Sequence, residues 1–330
     1  MSRRIKIGKI ALRYGFTLIV VGIAFYYLIQ EFDIQSAFDT LRRADPLLFA
    51  AAMLAFYVSF PLRTERWRWF LSAIDVEAGR LSANLILLVG YYLNTLVPAK
   101  LGDIYRSYLA AGRYDDRVSS IAGTIAAERI IDLCLLAVGL VFALPIVLTR
   151  RTEFVSRVTT WAVVLLVVVG VGTVALLRFD VIPLPERMNS AVTSFRRGLR
   201  AASGRSLGDR VSIMALSVSV WSTNIIRTAL VAAALGINLS LAEITLLALL
   251  VAFLSGLPWV PAGIGLVEVI STSVLLSLGL SAESALALIL LDRTITVVTL
   301  VLLGTPIYVL VLHFDQSKLS GTVVADEKTQ

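Results

Sequence analysis

Long apolar runs, separated by short stretches rich in arginine, make up most of the chain. They cover Tyr14–Ile29, Pro46–Leu62, Leu81–Val97, Val118–Leu148, Thr160–Leu177, Val211–Leu235, Leu241–Leu257, Gly263–Leu278 and Ser281–Leu312. A single helical crossing of a ~30 Å hydrocarbon core takes about 20 such residues at ~1.5 Å each. Leu81–Val97 and Leu241–Leu257 fall short of that and end at breaks. After the first comes Asn94-Thr95-Leu96-Val97-Pro98-Ala99-Lys100-Leu101-Gly102-Asp103-Ile104-Tyr105-Arg106, with proline, glycine and charge where a membrane helix would continue. After the second comes Trp259-Val260-Pro261-Ala262-Gly263-Ile264-Gly265-Leu266-Val267-Glu268, which shares the pattern Pro-Ala-x-aliphatic-Gly.

The likeness extends both ways. Leu87-Leu88-Val89 precedes the first break and Leu249-Leu250-Val251 the second, while Glu128-Arg129 and Asp292-Arg293 follow at matching distances. A repeat that carries both a helix break and an acid–arginine pair predicts an internally duplicated, all-α polytopic membrane protein. Residues 1–316 read as one transmembrane domain, with repeats at about 81–148 and 241–312. Between the repeats lies a basic amphipathic linker, about 178–210, and after them a tail, 317–330, expected to be disordered.

Charge placement orients the chain. If the first break turns back as a re-entrant hairpin, the most basic loop faces the cytoplasm; it carries Arg178, Arg187, Arg196, Arg197, Arg200, Arg205 and Arg210. If the break crosses, that loop faces outward, against the positive-inside bias. Re-entry at both breaks gives about six full crossings and two broken-helix hairpins in inverted repeats, with both termini cytoplasmic. Arg63, Arg66 and Arg68, interleaved with Trp67 and Trp69, read as an interfacial anchor. In the linker, Met188, Val192, Phe195 and Leu199 form an apolar stripe expected to lie on the inner leaflet.

Composition narrows the class. The chain of 330 residues is 58% hydrophobic and 16% charged, and its mean hydropathy is +0.84, which places it in a membrane. The net charge of +7 comes from arginines at the ends of apolar runs, so it points to lipid headgroups rather than nucleic acid. A single cysteine, Cys134, reads as packing, and with one histidine, His313, no Cys/His metal site can be built. No metal or cofactor is expected.

Ionisable groups within a bilayer cost roughly 2.5–3.5 kcal/mol each on insertion scales, so each calls for a partner or a purpose. Five acids, Asp103, Glu128, Asp132, Glu268 and Asp292, face five bases, Lys100, Arg106, Arg129, Arg227 and Arg293. Two readings stay open: structural ion pairs that pin hairpins to helices, or a polar cavity for a charged headgroup. In the second, Lys100, Arg106, Arg129 and Arg293, with Asn94, hold the headgroup. The acids orient those cations or carry a proton. Pro98, Gly102, Pro261, Gly263 and Gly265 break the helices, and the half-helix that follows each break offers free N–H groups to an anion.

The residues Asn94…Pro98-Ala99-Lys100-Leu101-Gly102-Asp103…Arg106, Glu128-Arg129…Asp132, Pro261-Ala262-Gly263-Ile264-Gly265…Glu268 and Arg293 resemble the lysylphosphatidylglycerol synthase transmembrane-region family. That family's pattern usually has Arg, then Gly-Glu, in the first hairpin and Pro-Gly-Gly in the second. Here Lys100 weakens a bidentate phosphate grip, whereas charge and backbone freedom are kept. The resemblance implies a flippase-like domain. With only a short polar tail after the last span, it implies translocation of a lipid rather than its synthesis. The expected function is a cell-membrane flippase for a charged lipid headgroup, not an enzyme, with phospholipids or a lipid-linked substrate as partners and a homodimer possible. The alternatives are a proton- or ion-coupled solute transporter using Glu128 and Asp132, or a polyprenyl-phosphate-dependent glycosyltransferase using Glu31-Phe32-Asp33.

Overall fold

The computed structural model describes residues 34–149, 186–201 and 206–326, with isolated positions between 153 and 172. The first apolar run, Glu31-Phe32-Asp33, much of Thr160–Leu177 and residues 327–330 lie outside the described residues. Among those described, every regular element is helical.

A short helix α1 (Ile34–Arg42) leads into α2 (Pro46–Ser72). Asp45 starts α2 by accepting from the Leu47 and Leu48 N–H groups, with proline at the first helical position. Helix α3 (Arg80–Leu96) stops where Pro98 forces Val97 into extended backbone. Ala99 and Lys100 then take left-handed conformations, and α4 (Leu101–Tyr114) begins. The chain reverses here. A Cβ on Gly102 would meet the Gly90 carbonyl, and one on Gly90 would meet Arg106. Farther down, Ser82 Oγ lies 3.0 Å from Tyr114 Oη. These pairings run in opposite order along the two helices, so α3 and α4 form an antiparallel hairpin. Helix α5 (Val118–Thr149) follows.

The second half repeats this order. Helix α7 (Leu207–Ala234) opens on the capping box Ser206–Asp209, and α8 (Leu241–Gly256) on Ser240–Glu243. The break is a 3-10 turn, Pro261–Gly263, with Ala262, Gly263 and Gly265 all at positive φ. Then α9 (Leu266–Ser277) packs back on α8. Helix α10 (Ala282–Arg293) continues through a π-turn, Thr294–Thr299, into α11 (Leu300–Asp326). That helix covers 317–326, part of the tail expected to be disordered.

Helices α2 and α7 hold equivalent places, each ahead of a hairpin, and they pack together. Arg66 of α2 meets Ser217 of α7, and Phe56 of α2 meets Arg227. The two helices are therefore antiparallel, and the halves run in opposite directions. Each half also grips the other's hairpin. Gly139 in α5 makes room for Leu249 of α8, and Gly304 in α11 for Tyr92 of α3.

Three expectations are corrected here. Arg66 and Trp67 are not an interfacial anchor. Both are fully buried, because α2 continues past them to Ser72 and α5 and α7 close over that face. The linker helix α6 (Glu186–Arg200) packs the Leu199 end of its apolar stripe on protein rather than on a leaflet. Gly123 of α5 and Gly198 of α6 let the two backbones cross closely, Leu199 is buried, and Arg197 reaches the Ile74 carbonyl and Asp75. Cys134 is exposed on α5 rather than packed in the core.

Candidate functional site

The two helix breaks meet. The Ala99 N–H donates to the Pro258 carbonyl at 2.6 Å, and Lys100 Nζ donates to the Ser255 carbonyl at 2.7 Å. Ser255 lies in the last turn of α8, where carbonyls lack helical partners, so a cation at that end is favourable. Two successive left-handed, non-glycine residues cost about 1–2 kcal/mol each. The bonds between the tips offset that strain.

Behind the tips, each hairpin is tied down by the same device. Asp103 is the third residue of α4, and Arg129 of α5 grips it through Nε and Nη2 at 3.0–3.1 Å. Glu268 is the third residue of α9, and Arg293 grips it through Nε at 2.9 Å. Near helix N-termini both carboxylates also complement the helix dipole. Asn94 Nδ2 supports Asp103 at 2.8 Å, and Glu268 Oε2 accepts the Gly265 N–H at 2.6 Å. Arg293 also reaches the Ala262 carbonyl at 2.7 Å.

The acid just before each arginine turns to the helix ahead of the hairpin. Glu128 takes Arg66 of α2 at 2.9 Å, and Asp292 takes Arg227 of α7 at 2.8 Å. Arg66 is shared with Asp132 at 2.7 Å, and Arg106 reaches the second oxygen of Glu128 at 3.1 Å while lying 3.8 Å over the Trp67 ring. Arg66, Arg106 and Glu128 are 0% exposed, whereas Arg129 is 36% exposed. In the interior the Arg–Glu–Arg cluster persists because each charge has a partner; separating them strands a charge where nothing can solvate it.

The structure thus places nine of the ten predicted charges in ion pairs behind the tip contact. Lys100 sits at the contact. Arg129 and Arg293 clamp the hairpins, and Arg106 is sealed between Trp67 and Glu128. Among the described residues no group of three or more His, Cys, Asp or Glu is placed to hold a metal.

Arg66 and Arg63, which the sequence places in an interfacial anchor rather than among the site charges, join the candidate site in the structure. Arg66 precedes Glu128 by 62 positions and Arg227 precedes Asp292 by 65. Extending the repeat one helix upstream finds Arg66, so each repeat includes α2 or α7. Arg63 has no counterpart in the second half. Its Nη1 donates to Tyr91 Oη at 2.8 Å, and both Arg63 and Arg129 lie within 6 Å of the Tyr91 ring centre, at 5.3 and 5.6 Å. Tyr91 is thus approached by two guanidinium groups.

Residues 14–304 match the family model described as "Lysylphosphatidylglycerol synthase TM region". The chain is 24% identical to a UPF0104 membrane protein of Methanocaldococcus jannaschii, over 67% of this chain and 94% of the relative. A UPF0104 membrane protein of Pyrococcus horikoshii is 21% identical, over 88% and 95% of the two chains. A protein of Haloferax volcanii named Glycosyltransferase AglD is 26% identical over 87% of this chain, a match that spans 52% of that relative's length. This last similarity overturns the expectation that the chain is not an enzyme. That expectation rested on the short polar tail after the last span, whereas the chain's similarity extends to a protein named as a glycosyltransferase.

Proposed function

The chain belongs to the lysylphosphatidylglycerol synthase TM region family of membrane proteins, and from that premise we propose that it moves a charged lipid headgroup across the cell membrane. The observation that carries this reading is the tip contact, Ala99 N–H to Pro258 carbonyl, between halves that run in opposite directions. Inverted halves with broken helices that meet in the middle are the architecture of alternating access. Irregular backbone at membrane depth is tolerated only when buried in protein or lining a wetted cavity. The first hairpin enters from the cytoplasm and the second from outside. Separating the tips on one side frees Lys100 and the start of α4 for an anionic headgroup, while acyl tails stay in lipid. Arg129 and Arg293 are the hairpin clamps nearest that path, and Asp103 and Glu268 orient them.

In proteoliposomes carrying fluorescent phosphatidylglycerol, Arg129→Ala and Arg293→Ala are each expected to cut lipid movement at least about tenfold, the scale of one lost charge-assisted bond. Undiminished movement by folded variants removes both residues from the path. The match to Glycosyltransferase AglD supports a second reading, glycosyl transfer from a lipid-linked sugar. Product analysis on vesicles loaded with a polyprenyl-phosphate sugar separates the two: consumption of the sugar lipid favours transfer, and its appearance intact in the other leaflet favours movement.

The topology has its own check. Cysteines placed at Thr152 and Ser203 are expected to react with an impermeant maleimide from opposite faces of the membrane. Labelling of both from one face rules out the paired re-entrant arrangement.

A further inference from the structure

The two halves differ in charge although they share a design. In the second half Arg227 and Arg293 are matched one for one by Asp292 and Glu268. In the first half Arg66, Arg106 and Arg129 are matched by Glu128, Asp132 and Asp103. Two cations remain. Among the described residues Arg63 and Lys100 donate only to neutral oxygens, Tyr91 Oη and the Ser255 carbonyl. Both are partly exposed, as is the Arg129 side chain. Arg129 joins the pair into one cluster: it shares the Tyr91 ring with Arg63, and it grips Asp103, whose N–H donates to the Lys100 carbonyl at 3.0 Å.

Arg63 sits nine residues before the end of α2, about 13 Å along the helix at ~1.5 Å per residue. Beside it Phe60 packs edge-on to Tyr91 at 5.5 Å, so its hydrogen-bonding partner stands in an aromatic pair that leaves the guanidinium partly exposed.

We infer that the first half holds a lipid phosphate monoester in the cluster of Arg63, Lys100 and Arg129, and that the second half has no anion site of its own. The surplus is two positive charges, which a monoester dianion neutralises and a phosphodiester monoanion does not. Arg63 presents a planar donor pair to phosphate oxygens, and Lys100 a point charge at the hairpin tip. The inference rests on the translocation reading for where the lipid goes, but not for whether it binds.

The test uses the full chain in detergent micelles with three probes, dioleoyl phosphatidic acid, dioleoyl phosphatidylglycerol and inorganic phosphate, with binding read by native mass spectrometry. At pH 7 phosphatidic acid is expected to bind roughly tenfold tighter than phosphatidylglycerol, the effect of one additional charge-assisted contact. The preference is expected to shrink at pH 5, because the second ionisation of a phosphate monoester lies near pH 6. Arg63→Gln keeps a donor for Tyr91 and is expected to lose the preference, and Arg63→Lys to recover part of it. Equal affinity for the two lipids overturns the inference. So does an unchanged preference in folded Arg63→Gln, or inorganic phosphate binding as tightly as the lipid. If phosphatidylglycerol still moves across proteoliposomes when the preference is absent, the monoester site falls and the translocation reading stands. If the preference is present but no lipid moves, the site stands and the translocation reading falls.

Discussion

Replacing Glu128 with alanine is expected to destabilise the protein by about 3–5 kcal/mol, the range for breaking a buried ion pair from one side. One Glu128 oxygen serves Arg66 and the other Arg106, and all three side chains are fully buried. Without the carboxylate, Arg106 keeps only the face of Trp67, and two of its nitrogens already lack partners among the described residues. Arg66 falls back on Asp132 and Ser217. Because Glu128 ties α5 to α2 and α4 at once, its loss loosens the hairpin as well as the pair. Thermal unfolding of the purified protein in detergent is the measurement. Asp132→Asn is the comparison: Asp132 is 13% exposed and shares Arg66 with Glu128, so its loss is expected to cost clearly less. Comparable melting shifts for the two variants contradict the central place assigned to Glu128.

Gly102→Ala is the second large effect, and it falls on function. A Cβ at that position would overlap the Gly90 carbonyl oxygen and stand 2.6 Å from the Asn94 nitrogen. Both are backbone atoms of α3, so relief comes only by moving a helix. Overpacking of this kind costs about 1–3 kcal/mol or more. The displacement is concentrated at the tip, where it pulls Asp103 away from Asn94 and Arg129 and Ala99 away from Pro258. Lipid movement in proteoliposomes is expected to be lost while helical content is retained. Gly112→Ala in the same helix is the control, because a Cβ there meets nothing within 4 Å. Equal activity of the two variants argues that the α3–α4 contact at the tip is not part of the path.

The hairpins were legible because proline and glycine act locally. Pro98 excludes helical backbone at Val97 whatever surrounds it, and the repeated Pro-Ala pattern carries that consequence to the second half. The acid–arginine pairs were legible because ionisable residues in apolar runs are costly and stand out. Arg66 escaped for the opposite reason. It lies among Arg63, Arg68, Trp67 and Trp69, a composition shared by membrane-surface anchors and by buried charge clusters, and a local pattern does not distinguish the two. The stripe on α6 was ambiguous in the same way, since an apolar face fits a leaflet or a neighbouring helix equally well. The glycines that chose the neighbour, Gly123 and Gly198, are far apart in sequence.

By itself, then, the sequence determined a duplicated, all-helical membrane chain with two broken hairpins and charges at matching depths, because helix breaking, hydropathy and the cost of intramembrane charge depend on neighbours along the chain. Only the tertiary structure decided which charges pair, that the hairpin tips touch, and that Arg63 and Lys100 have no carboxylate partner among the described residues. Those outcomes depend on distances of a few ångströms between helices tens of residues apart, where electrostatics in a low-dielectric interior is settled by contact rather than by composition.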